Sequence, residues 1–288
     1  MRASSSFDLS QNVFSTLSFA TLDPHKKREA TVSDAVINGT SRAPTTLNHL
    51  LETRLHQVLQ ELCLSHNKLS FASSLGLEDM VLTDLIARHQ LPIEIFTLDT
   101  GRLHEETYAL LSQVERHYAP LRIKVIAPLA QAVEALVSQI GINGFYDSIE
   151  ARKACCSVRK IEPLKRALED SQAWITGLRR EQSEARTTLS FKSVDPLTGL
   201  DKYNPLLEWS LEAVQNYLER HEVPVNALHA QGFPSIGCAP CTRAIRLDEH
   251  PRAGRWWWEQ EKSQGNESAA QECGLHVDES GRLVRTAN

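Results

Sequence analysis

The chain has 288 residues, of which 41% are hydrophobic and 23% charged, and its formal net charge is −5 at pH 7. This composition suits a globular protein, and the negative balance excludes a dominant nucleic-acid surface. No run reaches the roughly 18 to 20 consecutive apolar residues that a transmembrane helix needs, so no membrane partner is expected.

Residues 1–44 are rich in Ser, Thr and Asn without a sustained period, and are expected to form a poorly ordered extension. The opening MRASSSFDLSQNVFSTLSF lacks an apolar core preceded by positive charge, so no secretory signal is read there and the cytoplasm is the expected compartment. From Thr46 to Leu64, apolar residues recur at helical spacing (Leu47, Leu50, Leu51, Leu55, Val58, Leu59, Leu62). Cys63 on that helix reads as a core residue. Lys68–Ala72 predicts a strand, Met80–His89 a helix and Ile93–Leu98 a second strand. Glu105–Tyr118 predicts a helix, Arg122–Ile126 a strand, and Trp174–Gly177 a further strand. Strand, loop and helix in alternation point to an α/β fold with a doubly wound sheet. Pro196, Gly199, Asn204 and Pro205 punctuate an expected loop, and Leu211–Glu219 resumes as a helix. After Trp256–Trp258 comes a polar stretch with little to bury. The expected organisation is therefore an α/β domain over 45–258 and a mobile C-terminal tail over 259–288.

Ligands of an open α/β sheet sit outside the carboxyl ends of its strands, and two segments fall there. Ser73-Ser-Leu-Gly-Leu-Glu-Asp79 joins a strand to a helix. Ser73, Ser74 and Gly76 can bring hydroxyls and backbone N–H groups to an anion, helped by the positive end of the helix. Leu98-Asp-Thr-Gly-Arg-Leu-His104 supplies Asp99, Thr100 and Gly101 at a second strand end. Each alone also reads as a capped turn; together they favour a nucleotide.

The six cysteines comprise the adjacent pair Cys155-Cys156, the pair Cys238-Ala-Pro-Cys241, and the single residues Cys63 and Cys273. Two thiol pairs suit an iron–sulfur cluster, a structural zinc or unliganded redox thiols, and spacing alone leaves all three open. Adjacent cysteines diverge and so fit the separate iron corners of a cubane better than a single ion. Cys273 follows a polar tether and reads either as a surface cysteine or as a mobile nucleophile.

Five further segments run in order: Lys153–Lys160, Ile175–Ser183, Gly237–Arg243, Gly254–Glu259 and Glu272–His276. With the two loops above, they closely resemble the bacterial adenosine 5′-phosphosulfate (APS) reductase family over residues 45 to 276. The resemblance implies an adenine-nucleotide α-hydrolase type of fold and one [4Fe–4S] cluster per subunit on Cys155, Cys156, Cys238 and Cys241. It implies reduction of APS to sulfite and AMP by thioredoxin or a related dithiol protein, with Cys273 as nucleophile. Lys160, Arg252 and Arg255 match the family's cations around the phosphosulfate. Arg186, like Arg179 and Arg180, is a weaker candidate, because a charged loop is usually solvated. The tryptophans are expected to pack the base of the tail, and His276 to be a solvated tail residue. Rival readings are a reductase of the 3′-phosphorylated substrate (PAPS) or of both, a non-catalytic cluster or zinc sensor, and an ATP pyrophosphatase of related fold. The sequence does not set whether the chain forms a homo-oligomer.

Overall fold

The computed structural model describes residues 44–182, 186 and 188–262. The expected extension, apart from Pro44, lies outside the described residues, as do Cys273, His276 and most of the expected tail. Helix α1 (Pro44–Ser65) leads into strand β1 (Leu69–Ala72), α2 (Leu77–Arg88), β2 (Ile93–Leu98), α3 (Glu105–His117) and β3 (Lys124–Ile126). Helices α4 (Ala130–Ile140) and α5 (Ile149–Cys156) follow. A π-helical turn (Ser157–Ile161) then carries α5 directly into α6 (Glu162–Ala167). Strands β4 (Ala173–Ile175), β5 (Lys192–Val194) and β6 (Asp201–Tyr203) complete the sheet, and α7 (Leu211–Arg220) and α8 (Trp257–Lys262) complete the helices.

The strands lie in the order β3-β2-β1-β4-β6-β5, parallel except for β5, which pairs antiparallel with β6. From β1 the chain winds outward to β2 and β3, then returns to lay β4 on the other side of β1. The switch point, and hence the crevice at the carboxyl ends, falls between β1 and β4.

Alternation along the strands divides the core between the two faces of this sheet. Leu69, Phe71, Ile93, Ile95, Ala173 and Ile175 join a cluster with apolar residues of α1, α2, α3 and α7. Phe96 and Trp174 point the other way, onto Leu164 and Ala167 of α6. Cys63 packs half-buried against the first cluster, as a core residue should, and burial pushes its thiol pKa up.

Two expectations are revised, and three helices are added. The loop expected around Pro196–Pro205 holds β6 and is the turn of a hairpin, closed by Asp195, whose carboxylate accepts the Leu197 N–H at 3.0 Å. Helix α8 extends to Lys262, so the polar stretch after the tryptophans begins as helix. Helices α4 to α6 had no counterpart among the predicted elements. The one buried side chain of α5 is an arginine, Arg152, which leaves no apolar stripe to detect.

Candidate active site

A cavity of about 380 Å³ opens at the carboxyl ends of β1, β2 and β4. Ser73, Ser74 and Gly76 line it, although Ser74 directs both its N–H and its hydroxyl to Asp79. Gly76 is the N-cap of α2, so the first N–H groups of that helix face the space. Apolar Phe96, Leu98, Leu164 and Trp174 form one wall, and Thr176 and Gly177 come from the end of β4. The cations expected from sequence, Lys160, Arg186, Arg252 and Arg255, all line the same cavity.

Arg179 also reaches it, but its guanidinium bonds Glu78 at 2.8 Å and the Trp209 carbonyl at 3.2 Å. It is thus largely neutralised in place. Arg255 is buried and donates to the Ile236 carbonyl at 3.1 Å and the Ser235 hydroxyl at 3.3 Å. Its guanidinium lies 4.9 Å from the centre of the Trp256 ring, and Arg152 lies 4.5 Å from the same ring.

The second loop divides its duties. Thr100 lines the cavity, whereas Asp99 and Gly101 stand beside it. Asp99 accepts the Gly101 N–H at 2.8 Å and the Tyr108 hydroxyl at 2.7 Å, so it shapes the turn. Gly101 has φ 67°, in the left-handed region, and a Cβ there would lie 3.4 Å from Arg159 Nη1.

Next to the cavity, Cys155, Cys156, Cys238 and Cys241 line one small pocket with Arg102, Arg159, Lys160 and Trp256. Lys160 and Cys238 belong to both spaces, which places them in the shared wall. The π-helical turn widens the chain after the cysteine pair, so both Arg159 and Lys160 turn toward the site. Arg159, not singled out in the sequence, donates to the Thr100 carbonyl at 2.7 Å. Thr100 Oγ1 is 3.2 Å from Cys238 Sγ, and the Ala239 N–H bonds the Arg102 carbonyl at 2.8 Å. The Leu98–His104 loop therefore serves the thiols as well as the cavity. The tryptophans pack here too: Trp256 and Trp258 cluster with Phe145, Tyr146, Cys155 and Cys241, and the Trp256 N–H bonds the Cys241 carbonyl.

The thiols act on one another. Burial and then Cys238 push Cys241 up to about 12, with Cys156 adding to the rise. Burial raises Cys155, with Cys238 adding to the rise and Arg159 opposing it. Burial also works against ionisation of Cys238, yet Lys160, the Thr100 hydroxyl, Arg255 and Arg159 together bring it below its ordinary value. Cys238 opposes the ionisation of Cys155 and Cys241, and Cys156 that of Cys241; a cationic metal group would relieve this by taking the thiols as thiolates. Among the described residues, no group of three or more His, Cys, Asp or Glu is arranged to hold a metal ion.

Sheet order, cavity and helix N-terminus together define an α/β nucleotide-binding protein with a cysteine-lined pocket at the wall of its binding crevice. Residues 68–244 match the phosphoadenosine phosphosulfate reductase domain. The chain is 52% identical over 238 residues to an adenosine 5′-phosphosulfate reductase of Allochromatium vinosum, covering 82% of this chain and 90% of that protein. It is 49% identical to the enzyme of that name from Burkholderia cepacia, covering 78% and 86% respectively. In fold it is similar to phosphoadenylyl-sulfate (PAPS) reductase from Candida auris, with a TM-score of 0.57 at 24% identity, over 72% of this chain and 100% of that one. The chain belongs to the phosphoadenosine phosphosulfate reductase family.

Proposed function

We propose that the protein reduces APS to sulfite and AMP, using a dithiol protein of the thioredoxin kind as reductant. One observation carries the reading: a nucleotide-sized cavity at the switch point shares Lys160 and Cys238 with the four-cysteine pocket and is ringed by further cations. The similarity to proteins named adenosine 5′-phosphosulfate reductase supports APS as the substrate. Retention of both cysteine pairs favours APS over PAPS.

Adenosine occupies the space between the Ser73–Gly76 loop and the apolar wall of Phe96, Leu98 and Trp174. The phosphosulfate faces Lys160, Arg252 and Arg255, with buried Arg186 a further cation of the lining. Cys273 is the nucleophile. Its thiolate attacks the sulfate sulfur, a sulfur–sulfur bond forms, and the sulfur–oxygen bond to the phosphate breaks. AMP leaves with the bonding pair, and the cations stabilise the charge that gathers on it. A thiolate of the dithiol partner then attacks Cys273 Sγ and releases sulfite. The resulting mixed disulfide is opened by the partner's second thiol, which supplies the remaining electron equivalent.

Cys155, Cys156, Cys238 and Cys241 would hold one [4Fe–4S] cluster through their thiolates. Such a group, when bound, adds fixed charge and rigidity beside Lys160. The test is sulfite release from APS and PAPS in parallel, with thioredoxin and anaerobically purified protein. Release from APS at far higher kcat/KM than from PAPS is expected; release from neither refutes the proposal, and equal efficiency refutes the substrate preference.

A further inference from the structure

A single buried carboxylate ties the ends of β1 and β4 together across the switch point. Asp79, in the first turn of α2, is 7% exposed. It accepts both the backbone N–H and the hydroxyl of Ser74 at 2.6 Å, and the Gly177 N–H bonds it from the other side. A Cβ on residue 177 would lie 2.1 Å from Asp79 Oδ1, so only glycine lets the chain after β4 approach this carboxylate. Between these contacts Leu75 is held at φ 59°, a conformation rare for leucine, with its N–H on Ser73 Oγ at 3.2 Å.

We propose that Asp79 is a positioning residue for the nucleotide: its ionised carboxylate locks the Ser73–Gly76 loop to the Thr176–Gly177 segment and so presents both to bound APS. The inference rests on the nucleotide reading of the cavity. Three donors converge on this one side chain, and the anion accepts all three. A protonated carboxyl loses acceptor strength, and the Ser74 hydroxyl must turn to accept its O–H, so the grip on the two segments weakens.

The charged groups around it do not assist ionisation. Glu78 adjoins it in sequence and opposes its charge. Arg179, from the segment after β4, is bonded to Glu78, and His229 of the 227–231 turn senses Glu78. Burial, countered by the Ser74 and Gly177 hydrogen bonds and aided by Glu78, pushes Asp79 up to about 6. Nucleotide affinity therefore falls as pH drops through this value. Protonation of His229 or His104, which burial holds low, would strengthen anion binding and act in the opposite sense.

The test measures APS dissociation constants in cluster-loaded Cys273→Ser protein, which removes turnover. APS suits this because its phosphosulfate does not titrate in the range, unlike the phosphate of AMP. From pH 8 downward, Kd is expected to rise about fourfold at pH 5.5 and about tenfold at pH 5. Asp79→Asn should weaken binding at pH 8 at least tenfold, abolish this pH dependence and leave the cluster absorption unchanged. With Cys273 present, the same change should raise KM while kcat stays within about threefold. A flat profile for the Asp79 protein between pH 5 and 8 overturns the inference whether or not the variant folds. So does Asp79→Asn protein that binds within twofold and keeps the profile. Absence of APS binding at every pH would instead overturn the nucleotide reading itself.

Discussion

Replacing Gly237 by alanine tests whether Arg255 is held in working position by its surroundings. A Cβ at residue 237 would stand 2.5 Å from Arg255 Nη2, 2.7 Å from Cζ and 3.1 Å from Nη1. Non-bonded heavy atoms prefer about 3.5–4.0 Å, so the guanidinium must withdraw by roughly 1 Å. That shift breaks the bonds to the Ile236 carbonyl and the Ser235 hydroxyl and slides the group off Trp256. Gly237 does not have a positive φ, so the alanine brings no backbone strain of its own. A misplacement of about 1 Å at a reacting group costs on the order of 10²-fold in rate, or about 2.7 kcal/mol in the barrier. The assay is kcat/KM for sulfite release, with the cluster spectrum as control because Cys238 is adjacent. In an Arg255→Ala background the Gly237→Ala change should add at most about threefold, since the group it displaces is gone. Gly237→Ala protein with intact cluster and kcat/KM within threefold of the parent would show that Arg255 does not need this close approach to work.

Cys156→Ser should abolish the brown cluster absorption and the iron content, leaving about none of the four irons expected per chain; stoichiometric zinc without sulfide in anaerobic parent protein would contradict the cluster. Lys160→Ala should slow transfer to Cys273 by about 10²-fold in single-turnover assays, since it faces both spaces; an unchanged rate would remove it from the site. Asp79 also predicts a stability effect. Its pKa is raised from 3.8 to about 6, so the stability it contributes is full at low pH and is lost as pH rises through 6. Between pH 4.5 and 8, unfolding free energy should shift by about 2 kcal/mol in favour of Asp79→Asn relative to the parent. A pH-independent difference in denaturant titrations would contradict the carboxylate's burial in the ionised form.

Strand β2 was legible because Ile93 and Ile95 face one core cluster and Phe96 the other, a period-two pattern visible in one dimension. The two loops at the strand ends were legible for the same reason: each follows such a strand. Helix α5 and the π-helical turn were not, since they pack through Arg152 and Arg159, whose burial depends on partners remote in the chain. Arg152 is buried against Glu259 and Trp256, and Arg159 against Thr100. Asp99 and Gly101 read either as a turn or as an anion site because both chemistries use the same residue types, and the structure shows the turn contacts. Asp79, Gly177 and Gly237 lie inside segments that carried the resemblance, but nothing in the sequence marked their individual roles. Their importance comes from close approaches between distant segments, which only the folded chain brings about.

Covalent transfer of the sulfonate to Cys273 is read out by peptide mass spectrometry. Cluster-loaded protein incubated with APS and no reductant should gain a sulfonate-sized mass on the Cys273 peptide and release AMP in equal amount. Added thioredoxin should then remove that mass and yield sulfite. Cys273→Ser protein that keeps its cluster and still releases sulfite at a near-parental rate, or an adduct found on another cysteine, would show that Cys273 is not the nucleophile.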